Sequence, residues 1–195
     1  ASISEGGKYS VSFRTPVDQI VSCYRVMENG WFEEGAVSLE EFAHEITLKD
    51  PAASGYFFHL GTWIAQHENP NVLLLTYEGM LADFDSCLNR IAQFLKIDLD
   101  DELRRIITKQ SSRAFMLEHR TQFDEHLNAQ RFEALGLTAA NPTTSKVTKG
   151  TPNTDRYYVS DILRKKMEAT WTATIGEEHG IATYRDLRKR IESAI

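Results

Sequence analysis

The sequence predicts an α/β fold with a central parallel sheet and a helix-rich C-terminal part. Three observations lead to this prediction. Residues 8–24 have the pattern of a strand, a tight turn and a helix. Residues 72–75 form a short continuous apolar run, which is typical of a strand buried on both faces of a parallel sheet. From residue 81 to residue 107, apolar side chains recur with the period of amphipathic helices.

The first strand and helix together can form an anion site. Residues 9–13 alternate between apolar side chains and serines, Thr15 can cap the helix that follows, and Pro16 suits its first position. Arg14 therefore lies at the carboxyl edge of a strand, where open α/β sheets place ligands. Ser22 lies on the polar face of the helix, and a guanidinium and a hydroxyl can both donate to phosphate. The same pattern also fits a surface arginine and a helix serine bonded to the backbone.

Tyr77 follows the second strand at its carboxyl end, so we expect it to share an edge of the sheet with Arg14. An ordinary aromatic at the end of a strand is the alternative. Upstream, residues 55–63 predict a helix rich in aromatic side chains. Downstream we predict two amphipathic helices that meet near Asp98. Their apolar positions are Leu81, Phe84, Leu88, Ile91 and Leu95 in the first, and Leu99, Leu103, Ile106 and Ile107 in the second.

Two later segments have the composition of loops that contact ligands. Ser111 and Ser112 precede a helix start that includes Met116, although serines in this position also act simply as caps. The loop at residues 146–152 contains Lys149 and Gly150, where lysine supplies a point charge and glycine permits close backbone approach. A solvated loop is the alternative for the second segment.

Taken in order, these segments resemble the sulfotransferases that use 3′-phosphoadenosine 5′-phosphosulfate (PAPS). Arg14 and Ser22 fall on the arginine and serine that bind the 3′-phosphate in that family, and Tyr77 falls on the tyrosine that contacts adenine. Gly79 replaces the usual aspartate of the Tyr-Glu-Asp-Met pattern, which we read as a minor departure.

The resemblance continues into the later segments with two further departures. Ser111, Ser112 and Met116 fall on the family's Thr-Ser-Phe-x-x-Met segment, which wraps the adenine, and Arg113 stands in place of its phenylalanine. Lys149 and Gly150 fall on the Arg-Lys-Gly loop that closes over the 3′-phosphate, with Thr148 in place of the arginine. The resemblance therefore implies that Thr148, Lys149 and Gly150 bind the cofactor as well.

The resemblance implies a three-layer P-loop-like fold, with residues 1–195 as one sulfotransferase-like domain. The implied reaction moves the sulfuryl group from PAPS to a hydroxyl or amine of a small-molecule acceptor and leaves 3′-phosphoadenosine 5′-phosphate (PAP). No metal is expected.

Members of the family begin with a strand, a Pro-Lys-Ser-Gly-Thr-Thr loop and a helix, in the portion that also carries the catalytic histidine and the loop lysine. We expect this strand–loop–helix to be absent from the chain, because no such loop occurs in the sequence. We therefore assign no catalytic residue. Three explanations for the absence of this portion stay open. The chain can be a truncated sulfotransferase, it can be a relative that binds nucleotide without catalysis, or the portion can come from another chain.

Composition excludes some classes of protein. The chain has 22 Lys and Arg against 28 Asp and Glu, a net charge of −6, which is unlike a nucleic-acid binder. It has no apolar run approaching the roughly 18 residues of a membrane span. Cys23 and Cys87 lack metal-site or CxxC spacing, so reduced thiols and a cytoplasmic location are expected. Residues 154–159 lack the Lys-x-x-x-Thr-Val pattern through which cytosolic members of the family dimerise, so the oligomeric state stays open.

Two alternatives come from other functional classes. A P-loop nucleotide kinase would need an intact Gly-rich loop and would prefer ATP over PAP. The other alternative is a non-catalytic module. Such a module could bind nucleotide without turning it over, or it could be an interaction module, which would have no nucleotide affinity.

Overall fold

The computed structural model describes residues 3–4, 6–32, 35–123, 130–131, 133–136 and 158–193. The chain divides into two compact units. The first contains Ala1–Ile20, Ala43–Leu99 and Val159–Ile195, and the second contains Val21–Phe42 and Asp100–Tyr158.

The first unit is built on two parallel strands, β1 (Tyr9–Phe13) and β2 (Val72–Thr76). They pair in register from Tyr9 opposite Val72 to Phe13 opposite Thr76. All of β2 except Leu73 is buried, as expected for an apolar strand that is covered on both faces, whereas β1 alternates between exposed and covered residues. Both predicted strands are confirmed.

The other regular elements of the described residues are helices and helical turns. Helix α1 (Pro16–Gly30) begins at the predicted proline, and its residues from Val21 onward are assigned to the second unit. Helix α2 (Leu39–Ala43) is assigned to the second unit except for Ala43, and it continues as a π-helical turn over His44–Leu48 in the first unit. The other helices of the first unit are α3 (Gly55–Ile64), α4 (Tyr77–Ala82), α5 (Phe84–Leu95), α8 (Asp161–Trp171), a π-helical turn (Thr172–Gly176), α9 (Glu177–His179) and α10 (Tyr184–Ser193). The second unit contains α6 (Asp101–Gln110), α7 (Arg113–Glu118) and a 3₁₀ turn (Arg120–Gln122).

The core of the first unit forms where α3 meets the π-helical turn after α8 and where α10 packs on β2. Its most buried large side chains are Phe57, Ile20, Leu60, Met167, Ile175 and Leu187. The Arg90 guanidinium on α5 donates to the carbonyl oxygens of Leu74 and Ile191 at 3.3 and 3.1 Å, which ties β2 to α10. The last helix is therefore part of the core.

The second unit has its own aromatic cluster. The rings of Tyr24, Phe32 and Phe42 pack with centroids 5.5 to 6.5 Å apart. The Tyr24 hydroxyl donates to the carbonyl oxygen of Val37 at 2.6 Å. Helix α6 is capped by Asp100, whose carboxylate accepts from the Leu103 N–H at 2.8 Å.

One predicted helix is wrong in its extent. The apolar spacing predicts Leu81 on the same helix as Phe84, but the chain breaks at Asp83 and Leu81 is 71% exposed. The Asp83 carboxylate accepts from the Ser86 N–H at 3.0 Å and so caps a new helix, α5. A cap of this kind overrides the apolar spacing across it.

Within the described ranges, no helix combines the length and the apolar character needed to cross a bilayer.

Candidate functional site

Arg14 and Tyr77 meet at the carboxyl edge of the two strands. Each residue directly follows its strand, and the last paired positions, Phe13 and Thr76, lie opposite each other. The Cζ atom of Arg14 lies 4.7 Å from the centroid of the Tyr77 ring, within the range of a cation–π contact. The shared edge predicted from the sequence is therefore observed.

The guanidinium of Arg14 has unused hydrogen-bonding capacity. Its Nε atom is buried and finds no hydrogen-bond partner among the described residues. A buried N–H without an acceptor costs free energy, and an arginine fork is well matched to an anion with several oxygens. The cation–π contact keeps the Arg14 guanidinium over the Tyr77 ring.

The peptide group that follows Arg14 is bound on both sides. The Tyr56 hydroxyl on α3 donates to the Arg14 carbonyl oxygen at 2.6 Å. The Thr15 N–H donates to the Glu78 Oε1 atom on α4 at 3.0 Å. The two side chains come from different helices, and both form hydrogen bonds with the peptide group between Arg14 and Thr15.

Glu78 has a second partner on the last helix. The Tyr184 hydroxyl donates to its Oε2 atom at 2.5 Å. Burial, followed by the hydrogen bond to Glu78 and its charge, raises the pKa of Tyr184 well above the usual tyrosine range. Burial, and then the charge of Glu78, raises the pKa of Tyr56 in the same direction. Both hydroxyls therefore stay protonated and act as donors at neutral pH.

The first turn of α1 is capped as predicted. Thr15 Oγ1 accepts from the Asp18 N–H at 3.2 Å and donates to the Asp18 carboxylate at 2.8 Å. This cap fixes the start of α1 immediately after Arg14.

His59 on α3 makes ring contacts with Phe13, the last residue of β1, and with Trp63, and burial lowers the pKa of His59.

The remaining predicted residues lie in the second unit or outside the described residues. Ser22 is half-buried on α1. Ser111 is exposed ahead of α7, and Met116 is half-buried on that helix. The Ser112 hydroxyl accepts from the Phe115 N–H at 3.2 Å and donates to the Lys109 carbonyl oxygen at 2.6 Å, so it caps α7. Thr148, Lys149 and Gly150 lie outside the described residues.

Sequence reasoning missed Tyr56, Glu78 and Tyr184. The first two stand inside segments that carried the resemblance, beside Gly55 and Tyr77, but the pattern gave no role to either. Tyr184 had no local signal, because its contact with Glu78 spans 106 positions of sequence. In the described part of the chain, no group of three or more His, Cys, Asp or Glu is arranged to hold a metal ion.

Known proteins are similar in sequence to this chain. The family model described as "Sulfotransferase domain" matches residues 8–174. Sulfotransferase 6B1 of Danio rerio is 30% identical over 112 residues, which cover 57% of this chain and 38% of the relative. The 3-alpha-hydroxysteroid sulfotransferase of Cavia porcellus is 29% identical over 116 residues, which cover 60% of this chain and 40% of the relative. The matched segments thus span about two fifths of these relatives.

The mouse sulfotransferase SULT7A1, solved in complex with PAP, superposes with a TM-score of 0.67 at 20% identity. The superposition covers 96% of this chain and 64% of that protein. At this level of identity the likeness establishes the fold. The chain has the α/β fold of the mouse protein, and the predicted fold class is confirmed.

Proposed function

Because this chain belongs to the sulfotransferase family, we propose that it forms the PAP-binding part of a PAPS-dependent enzyme, folded as a single domain over residues 1–195. The enzyme transfers a sulfuryl group to a hydroxyl or amine of a small-molecule acceptor. PAPS supplies the sulfuryl group. The residues of this chain hold and orient the nucleotide end of that co-substrate.

The observation that carries the proposal is the Arg14 guanidinium above the Tyr77 ring. Its buried Nε atom lacks an acceptor among the described residues, and a phosphate oxygen would provide one. A 3′-phosphate on an adenosine whose base reaches Tyr77 fits this pairing of a charge with an aromatic ring. ATP and AMP lack that phosphate, so the site would distinguish PAPS from them.

The other cofactor residues follow from the family pattern. Ser22 and the loop at Thr148, Lys149 and Gly150 would add donors and charge to the 3′-phosphate. The segment from Ser111 to Met116 would enclose the adenine, with Ser112 acting chiefly as the cap of α7. No residue of this chain is assigned as the catalytic base.

The proposal extends to partners and location. The acceptor is a small molecule, as the name of the Cavia porcellus relative indicates for that protein. We place the enzyme in the cytoplasm, because Cys23 and Cys87 are both free thiols and disulfides are rare in that compartment.

Titration calorimetry with PAP and AMP tests the proposal. Arg14→Ala should weaken PAP binding by about 2–5 kcal/mol, which is roughly 30- to 5,000-fold, and leave AMP binding nearly unchanged. Arg14→Lys should recover part of the loss, since it keeps the charge without the fork. Arg164→Ala, at an exposed position on α8, is the matched control.

Other outcomes would contradict the proposal. PAP binding no tighter than AMP binding, or equal in wild type and Arg14→Ala, would remove the PAPS assignment. Preference for ATP would favour a kinase, and absence of nucleotide binding would favour an interaction module.

A further inference from the structure

We propose that Tyr56, Glu78 and Tyr184, here called the peptide clamp, are positioning residues that orient Arg14 toward a 3′-phosphate. This inference rests on the proposed function. None of the three side chains needs to touch the nucleotide. Their effect on nucleotide binding passes through the backbone of Arg14.

The clamp acts on a single rigid group. The Arg14 carbonyl and the Thr15 N–H belong to one peptide plane, which is nearly flat and resists twisting. Tyr56 holds the carbonyl end at 2.6 Å and Glu78 holds the N–H end at 3.0 Å. With both ends held, the plane cannot rotate without breaking a hydrogen bond. The direction in which the Arg14 side chain leaves the strand is thereby fixed.

The chemistry of the two partners also fixes the sense of the plane. A carboxylate can only accept, so Glu78 requires the N–H on its side. A flipped peptide would point the Arg14 carbonyl at that carboxylate and leave the Tyr56 hydroxyl without its acceptor. Two partners of opposite character thus select one orientation.

Tyr184 links the last helix to the clamp. It occupies the Oε2 atom of Glu78, and its ring packs edge-on against Trp171 with centroids 6.1 Å apart. The Trp171 indole N–H in turn donates to the Ile181 carbonyl oxygen at 2.8 Å. The Glu78 carboxylate is therefore held by a tyrosine that itself packs in the core of the first unit.

A purely electrostatic role for Glu78 predicts the opposite effect. A negative charge beside Arg14 opposes an incoming phosphate, so deleting it would tighten PAP binding. Positioning predicts that Glu78→Ala weakens PAP binding, because the Thr15 N–H loses its acceptor. Glu78→Gln keeps an oxygen for that N–H and should bind PAP about as well as wild type.

The measured quantity is the ratio of PAP affinity to AMP affinity, since a general loss of structure lowers both affinities together. Glu78→Ala should reduce the ratio roughly 10- to 100-fold, and Tyr56→Phe and Tyr184→Phe roughly 3- to 10-fold. Tyr158→Phe, at a tyrosine that is 78% exposed, is the control and should leave the ratio unchanged. Circular dichroism checks that each variant is folded, and the two Phe variants carry the test if Glu78→Ala is not.

A double-mutant cycle isolates the route of the effect. If the clamp acts through Arg14, Glu78→Ala should not change the ratio further once Arg14→Ala is present. An unchanged ratio in the clamp variants, with a reduced ratio in Arg14→Ala, would overturn the clamp and leave the proposed function standing. A ratio unaffected by Arg14→Ala would overturn both. A higher ratio in Glu78→Ala would replace positioning by charge repulsion.

Discussion

Replacing Gly79 with alanine tests how tightly the last helix packs against the start of α4. A Cβ at this position would lie 2.6 Å from the Thr76 Oγ1 atom and closer still to a carboxylate oxygen of Glu192. The Thr76 hydroxyl donates to that carboxylate at 2.9 Å and accepts from the Gly79 N–H at 3.1 Å. The added methyl group would therefore disturb the cap of α4 and its link to α10 together.

The magnitude follows from three terms. Overpacking costs about 1–3 kcal/mol, and loss of the cap hydrogen bond costs about 1 kcal/mol. Alanine returns about 1 kcal/mol through its higher helix propensity. Gly79→Ala should therefore lower the free energy of unfolding by about 1–3 kcal/mol. Gly79→Asp should lower it by about 1 kcal/mol more, because a second carboxylate would stand beside Glu192.

Urea unfolding at neutral pH, followed by circular dichroism, measures these differences. Gly176→Ala is the matched control, since its nearest atoms would lie 3.6 to 3.9 Å from the new Cβ. It should gain up to about 1 kcal/mol. In a Glu192→Ala background the cost of Gly79→Ala should shrink. A Gly79→Ala variant as stable as wild type, or more stable, would refute the packing argument.

Three further predictions concern stability. The pKa values of Tyr56 and Tyr184 are raised, so their contribution to stability is present below about pH 10 and is lost as the pH rises further, by up to about 1.4 kcal/mol per pH unit for each hydroxyl. Tyr184→Phe should flatten this alkaline decline in pH-dependent unfolding, and parallel curves would contradict the assignment. Phe57→Ala should cost about 3–5 kcal/mol in urea unfolding because Phe57 is 1% exposed, whereas Phe58→Ala, at 44% exposure, should cost less than about 1 kcal/mol. Arg90→Met should cost about 1–3 kcal/mol by removing the hydrogen bonds that the guanidinium donates to two backbone carbonyls, and a thermal melt equal to that of wild type would contradict this.

Local patterns predict the elements that place the site. The alternation over residues 9–13 and the apolar run that precedes Tyr77 identify both strands, and Thr15 and Pro16 locate the start of α1. Because parallel strands end at one edge of a sheet, the same patterns are enough to predict that Arg14 and Tyr77 share that edge, and the structure brings the two side chains into contact there.

The parts that the sequence does not predict depend on distant contacts or on competing local signals. The clamp joins residues from α3, α4 and α10, and no periodicity reports such a meeting. The break at Asp83 does have a local signal, a capping residue, but the apolar spacing from Leu81 to Phe84 outweighs it in the prediction. The choice of glycine at position 79 is explained by the nearby Thr76 hydroxyl together with Glu192, which lies beside it in space but 113 positions away in the sequence.

The position of α10 bears on how the chain should be trimmed for expression. The family match ends at residue 174, and a fragment cut there would lose Tyr184, Leu187 and Ile191. Leu187 and Ile191 are buried, and their helix packs on β2, so the shortened fragment would expose one face of that strand to solvent. A boundary placed after residue 193 keeps this cover, and fragments for crystallisation or binding work should be designed to that limit.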